Sequence, residues 1–108
     1  MTTLAPIDAA TCVVRDTGSR RGRHISVTPA TTAARHLHFG RIVLDAGESL
    51  SFSTEDRETA LICLECGGGA AAVESGGVAA ALRKYDALYL PRESNITIQA
   101  GPNGCDLA

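Results

Sequence analysis

Apolar residues recur at every second position along most of this chain, and that period constrains its fold more than any other feature. Arg23-His24-Ile25-Ser26-Val27-Thr28 alternates, as do Ser49-Leu50-Ser51-Phe52-Ser53-Thr54 and Asn95-Ile96-Thr97-Ile98-Gln99. Successive side chains on a strand point to opposite faces, so these segments predict antiparallel strands with one face on a core and one in water. Leu50 and Phe52 are expected to face that core.

Other segments are continuously apolar and end at turn residues. Phe39 to Leu44 runs into Asp45-Ala46-Gly47-Glu48, and Thr59 to Leu64 reads as a strand buried on both faces before Gly67-Gly68-Gly69. Ala70 to Glu74 and Val78 to Leu82 flank Ser75-Gly76-Gly77, a hairpin signature. Ala87 to Leu90 stops at Pro91, which has no N–H for a ladder. The Ala-rich stretch Val78 to Lys84 is short and uncapped, so it reads as strand rather than helix. Residues 1–22 form an irregular segment with an expected edge strand at Thr11 to Val14, and Gly18 to Gly22 reads as a loop. About eight short strands between Gly, Pro, Asn and Asp turns define an all-β sandwich or barrel.

Size and charge narrow the functions open to such a fold. A chain of 108 residues with 44% hydrophobic content holds one core and excludes a multidomain enzyme within these residues. Ten Lys and Arg against twelve Asp and Glu give a net charge of -2, which offers no general attraction to nucleic acid. Arg15, Arg20, Arg21, Arg23 and His24 make a local basic cluster, but no aromatic residues interleave to stack bases, so a solvated loop is the expectation. Met1 to Pro6 lacks the basic start and apolar run of a secretion signal, and no apolar run is long enough to span a bilayer, so a cytoplasmic protein without membrane contact is expected. In that compartment Cys12, Cys63, Cys66 and Cys105 are expected to be free thiols.

From Arg41 to Ala100 the order of strands, the acidic turn Glu55-Asp56-Arg57-Glu58, the glycine-terminated strand, the hairpin and Tyr85-Asp86-Ala87-Leu88-Tyr89-Leu90-Pro91-Arg92 resemble a cupin. Within the cupins, Asp56-Arg57-Glu58 and Asp86-Ala87-Leu88-Tyr89-Leu90-Pro91 are similar to the amino-terminal half of the 5-deoxyglucuronate isomerase and 5-keto-4-deoxyuronate isomerase family. The resemblance implies a single cupin-type jelly-roll β-barrel, the double-stranded β-helix, over residues 23–108. It also implies sugar-acid ketol-isomerase chemistry in inositol or uronate breakdown, with a divalent metal, often zinc, held in a carboxy-terminal half. This chain holds one such half, so the expectation is a fragment of such an isomerase or a reduced relative. The isolated chain is then inactive, with a structural and interface role as a homodimer. The alternative is a stand-alone small cupin that binds a sugar acid without catalysis.

The resemblance also says where a metal would sit. A cupin site needs two His one residue apart on a strand, a Glu shortly after, and a third His beyond the Pro-containing turn. In this chain those positions fall within Phe52 to Glu55, at Glu58 or Thr59, and near Ile96, where no histidine stands. No metal or other cofactor is therefore expected, and no catalytic residue can be assigned. His36-Leu37-His38 puts two imidazoles on one strand face if the strand extends that far, so metal binding there needs a carboxylate or His24 from a neighbouring strand. Cys63-Leu64-Glu65-Cys66 has half of a zinc-ribbon spacing, but residues three apart on a regular strand diverge unless the chain bends after Leu64. Structural cysteines are the expectation. Asp56 and Glu58 share a face of an extended chain and have the chemistry of an acid–base pair, though an exposed charged turn explains them more simply.

Overall fold

The computed structural model describes residues 7–108. Nine strands follow one short helical turn, α1 (Ala9–Cys12): β1 (Gly22–Val27), β2 (Phe39–Leu44), β3 (Ser49–Ser53), β4 (Thr59–Glu65), β5 (Ala71–Ser75), β6 (Val78–Leu82), β7 (Ala87–Leu90), β8 (Asn95–Gln99) and β9 (Cys105–Leu107). They form a five-stranded sheet in the order β1-β2-β9-β4-β7 and a four-stranded sheet in the order β3-β8-β5-β6. Every strand pair is antiparallel. The predominantly β, cupin-like fold and jelly-roll strand order are as expected. Closure is not: neither sheet curls into a barrel, and the two open sheets instead share one core.

Two of the three alternating segments behave as their period requires, whereas in edge strand β1 Ile25 is 42% exposed and His24 and Ser26 are half-buried. In β8, Ile96 and Ile98 are buried while Asn95, Thr97 and Gln99 are exposed. They meet Ile42, Leu44, Leu61, Cys63 and Leu107 of the other sheet, with Leu50 and Phe52 packed against this cluster. The side-chain alternation thus sets which face of each sheet turns inward. At the β5–β6 hairpin Gly76 and Gly77 both take positive φ, 57° and 80°, as a two-residue turn matched to the twist of its strands demands.

Two sequence expectations are corrected. Thr59–Glu65 is not buried on both faces: Leu61 and Cys63 point into the core, while Ile62 is 42% exposed on the outside of the sheet. Its apolar run reflects an apolar outer face as well as an apolar inner one. The strand expected at Thr11 to Val14 is absent, because Asp8 caps a helical turn by accepting a bond from the Ala10 N–H at 2.9 Å. Val13 beyond it is extended and exposed but pairs with no strand. The reading of Met1 to Pro6 falls outside the described residues. β9, which joins β2 to β4, has only three residues and gave no usable period.

Candidate functional site

β9 joins the second half of β2 to the second half of β4. Its ladder runs Ile42↔Leu107, Val43↔Asp106 and Leu44↔Cys105 on the β2 side. On the β4 side Cys63 pairs with Leu107, and Ile62 and Ala108 exchange two backbone bonds of 2.9 Å. The first half of β2 and the first half of β4 have no strand between them among the described residues. A cleft of about 610 Å³ opens there. Phe39, Gly40 and Arg41 line one wall, Thr59, Ala60 and Leu61 the other, and Phe52 to Glu55 with Arg57 and Glu58 lie across its mouth.

The charges around the cleft are unequally engaged. Arg41 bridges to Asp106 through two bonds, Nε to Oδ1 at 2.9 Å and Nη2 to Oδ2, and Nη1 also donates to Thr17 Oγ1 at 3.2 Å. Arg23 lies over the Phe52 ring, 4.4 Å from its centre. Among the described residues neither Arg23 nor Arg57 has a carboxylate partner. Glu58 accepts a 2.6 Å bond from the Tyr89 hydroxyl, which holds that phenol above its usual range. Asp56 does not line the cleft, so the proposed Asp56–Glu58 pair does not converge on it. Thr54, the one buried polar side chain among the described residues, is structural: it donates to Pro91 O and accepts from Ser94 N, both at 2.9 Å.

The residues aligned with a cupin metal site meet at this cleft but lack its chemistry. Phe52, Ser53, Thr54, Glu55, Glu58 and Thr59 line it, whereas Ile96 pairs with Phe52 and is buried in the core. None of these residues is a histidine, so this donor set does not fit the ligand set that the cupin resemblance implies. The histidines do not replace it. His36 and His38 lie in the connection before β2 rather than on a strand, so the expected shared face does not form; only His38 reaches the cleft. His24 is tied by a 2.7 Å bond between its Nε2 and the Arg21 carbonyl. Among the described residues no three His, Cys, Asp or Glu are placed to hold a metal ion.

The basic cluster and the cysteines are largely absorbed by the fold. Arg21 bridges Asp45 and Glu48, keeping the Glu48 carboxyl below its usual range. Cys63 and Cys66 do not diverge, because the β4–β9 register slips between Cys63 and Glu65 and turns both thiols inward. All four cysteines are free, and Cys12 alone is exposed. Burial, followed by the neighbouring Cys66, pushes the Cys63 thiol up to about 12, which makes it a poor nucleophile. No helix among the described residues is long and apolar enough to cross a membrane.

With this geometry the chain is a cupin by fold. It aligns with a cupin protein from Bacteroides fragilis at a TM-score of 0.64 and 17% identity, covering 99% of this chain and 82% of that one. A Rhizobium leguminosarum protein of unknown function gives 0.60 and 17%, over 99% and 93% of the two chains. The cupin domain of Schizosaccharomyces pombe Cnp3 gives 0.54 and 16%, over 62% of this chain and only 46% of that one. A search of curated proteins finds no significant match. The model of the KduI/IolB family matches residues 12–108, and the chain belongs to that family.

Proposed function

We propose that this chain is the amino-terminal, metal-free cupin domain of a sugar-acid ketol-isomerase, with a structural and interface role, and that the aldose–ketose chemistry is carried by other residues of the complete enzyme. The observation that supports this reading is the cleft itself: Phe52 to Glu55, Glu58 and Thr59, among which the cupin resemblance implies a ligand set, line it without a histidine, and Ile96 is buried in the core. The domain is read as a double-stranded β-helix left open along one side, and as a cytoplasmic homodimer; its four free thiols agree with a reducing compartment.

The test is an isomerase assay of the 108-residue chain on 5-deoxyglucuronate beside a full-length family member, with metal analysis of both. The expected result is turnover and bound metal for the full-length protein and neither for this chain. Turnover by this chain, or stoichiometric zinc lost in a His36→Ala, His38→Ala double variant, overturns the reading. A second reading, a non-catalytic site for a sugar acid, is favoured by Arg23 and Arg57, two cleft guanidiniums without carboxylate partners among the described residues. Saturable binding of D-glucuronate, lost in Arg23→Ala, supports it.

A further inference from the structure

Beyond their last ladder pair, β4 and β9 lead into chains that stay side by side. Cys63 pairs with Leu107 and, after the register slip, Glu65 pairs with Asp106, so the next step sets Cys66 opposite Cys105. Farther on, Asn103 Nδ2 donates to the Gly67 carbonyl at 2.8 Å, and a Cβ at Gly101 would lie 3.0 Å from the Ala70 carbonyl oxygen. Glu65 is exposed on the outer face, and alternation turns Cys66 and Cys105 inward, where they are 3% and 5% exposed. Ala108 exchanges its backbone bonds with Ile62 of β4, so Leu107 and Cys105 turn theirs toward β2, where their partners are Ile42 and Leu44. Cys66 and Cys105 are therefore an opposed pair without mutual backbone bonds, the arrangement that brings Cα atoms to about 4.5 Å. A disulfide spans Cα separations of about 4.4–6.8 Å. Cys63 belongs to the same buried cluster. Burial, with Cys66 among the further causes, holds both Cys63 and Cys105 above the ordinary thiol range, so the three sulfurs lie near enough to feel one another's charge.

We propose that Cys66 and Cys105 are a site of reversible oxidation, where a diffusible low-molecular-weight disulfide converts the two thiols into a bond that staples β4 to β9. Cys66 reacts first, because it stands at the entrance to the Gly67-Gly68-Gly69 turn, with its thiol donating to the Gly69 carbonyl at 2.9 Å. As a thiolate it attacks one sulfur of the small disulfide, forming a mixed disulfide while the other half leaves as a thiolate. The Cys105 thiolate then attacks the Cys66 sulfur, the Cys66–Cys105 bond forms, and the second half leaves. Two protein thiols are oxidised, one small disulfide is reduced to two thiols, and the two protons reach those products through solvent. Both sulfurs are buried, so the reaction waits on local opening of the two turns and is slow. Cys63 has Leu107 opposite it and stays reduced. The site goes beyond the isomerase reading and does not depend on it.

The test equilibrates the folded 108-residue chain with reduced and oxidised glutathione in varied ratio, without denaturant, in a Cys12→Ser background that removes the exposed thiol. Free thiols are then alkylated and the protein is digested with trypsin and a glutamate-specific protease, which cuts after Glu65 and so separates Cys63 from Cys66. The expected product is one cross-linked peptide pair holding Cys66 and Cys105, with Cys63 alkylated. The oxidised protein is expected to unfold at a urea midpoint higher by roughly 1 M, a gain that dithiothreitol abolishes. Cys66→Ala is expected to lose both the cross-link and the gain, and Cys63→Ala to keep them; if Cys66→Ala fails to fold, the peptide map of the parent protein decides. Thiols that all stay free in oxidised glutathione, a cross-link that includes Cys63, or a glutathione adduct that never resolves overturns the proposal. So does a bond that forms only in urea, or one that leaves the midpoint unchanged.

Discussion

Arg41 shows how one side chain spans three parts of the chain. On β2 it reaches Asp106 on β9 and Thr17 in the amino-terminal segment, and its side chain is only 19% exposed. A forked, partly buried pair of this kind is worth more than a surface bridge, and breaking it leaves a carboxylate half-buried. Arg41→Ala is expected to cost about 2 kcal/mol in urea unfolding, and Asp106→Asn less because the amide still accepts a bond. Cys63 supplies a pH dependence. Its thiol ionises near 12 in the folded state and at an ordinary 9.0 unfolded, so the unfolded chain loses its proton first as pH rises. The contribution is fully present below pH 9 and is lost progressively between about 9 and 12. The urea midpoint should fall over that range, and fall less steeply in Cys63→Ala; an unchanged slope would refute the assignment. Burial raises Cys105 with the same sign, so some slope remains.

Among the elements, glycines divide into those that shape a turn and those that also admit a neighbour. Gly77 has open space where a Cβ would stand, so Gly77→Ala carries only the left-handed backbone penalty, about 1 kcal/mol. At Gly104, with φ of 76°, a Cβ would come within 2.6 Å of the Leu44 carbonyl oxygen. Gly104→Ala is expected to destabilise at least twice as much, measured side by side in urea, because backbone must move to accept it. Eight strands were legible because their apolar residues either alternate or form short runs that end at turn residues. β9 was not, since Cys105-Asp106-Leu107 holds less than two full periods and is defined by the partners on either side. The slip that brings Cys63 and Cys66 together is likewise a property of the β4–β9 pairing, and only the glycines after Leu64 hinted at it. The cleft positions were partly readable: the cupin resemblance led to Phe52 to Glu55, Glu58 and Thr59, but Gly40 and Ala60, which also line it, carry no chemical signature in a sequence.

For the whole molecule, the outer face of the larger sheet bears on assembly. Ile62 on β4 and Tyr89 on β7 are 42% and 60% exposed and lie on the same side of the ladder Ala60↔Tyr89, Ile62↔Ala87. An apolar strip in this position suits a twofold contact between copies. Light scattering at tens of micromolar is expected to show a dimer that Ile62→Lys converts to monomer, with the circular dichroism unchanged; a monomeric parent protein would remove this face from the interface.

The placement of β9 has one more consequence, which concerns time rather than stability. The ninth strand made during synthesis sits third in a sheet of five, between β2 and β4, whose codons precede it by about sixty and about forty positions. β2 and β4 therefore cannot be joined while residues 105–107 remain inside the ribosome. A nascent chain that has released eight strands still exposes two unjoined sheet edges, so chaperone protection should be needed until residues 105–107 have left the ribosome.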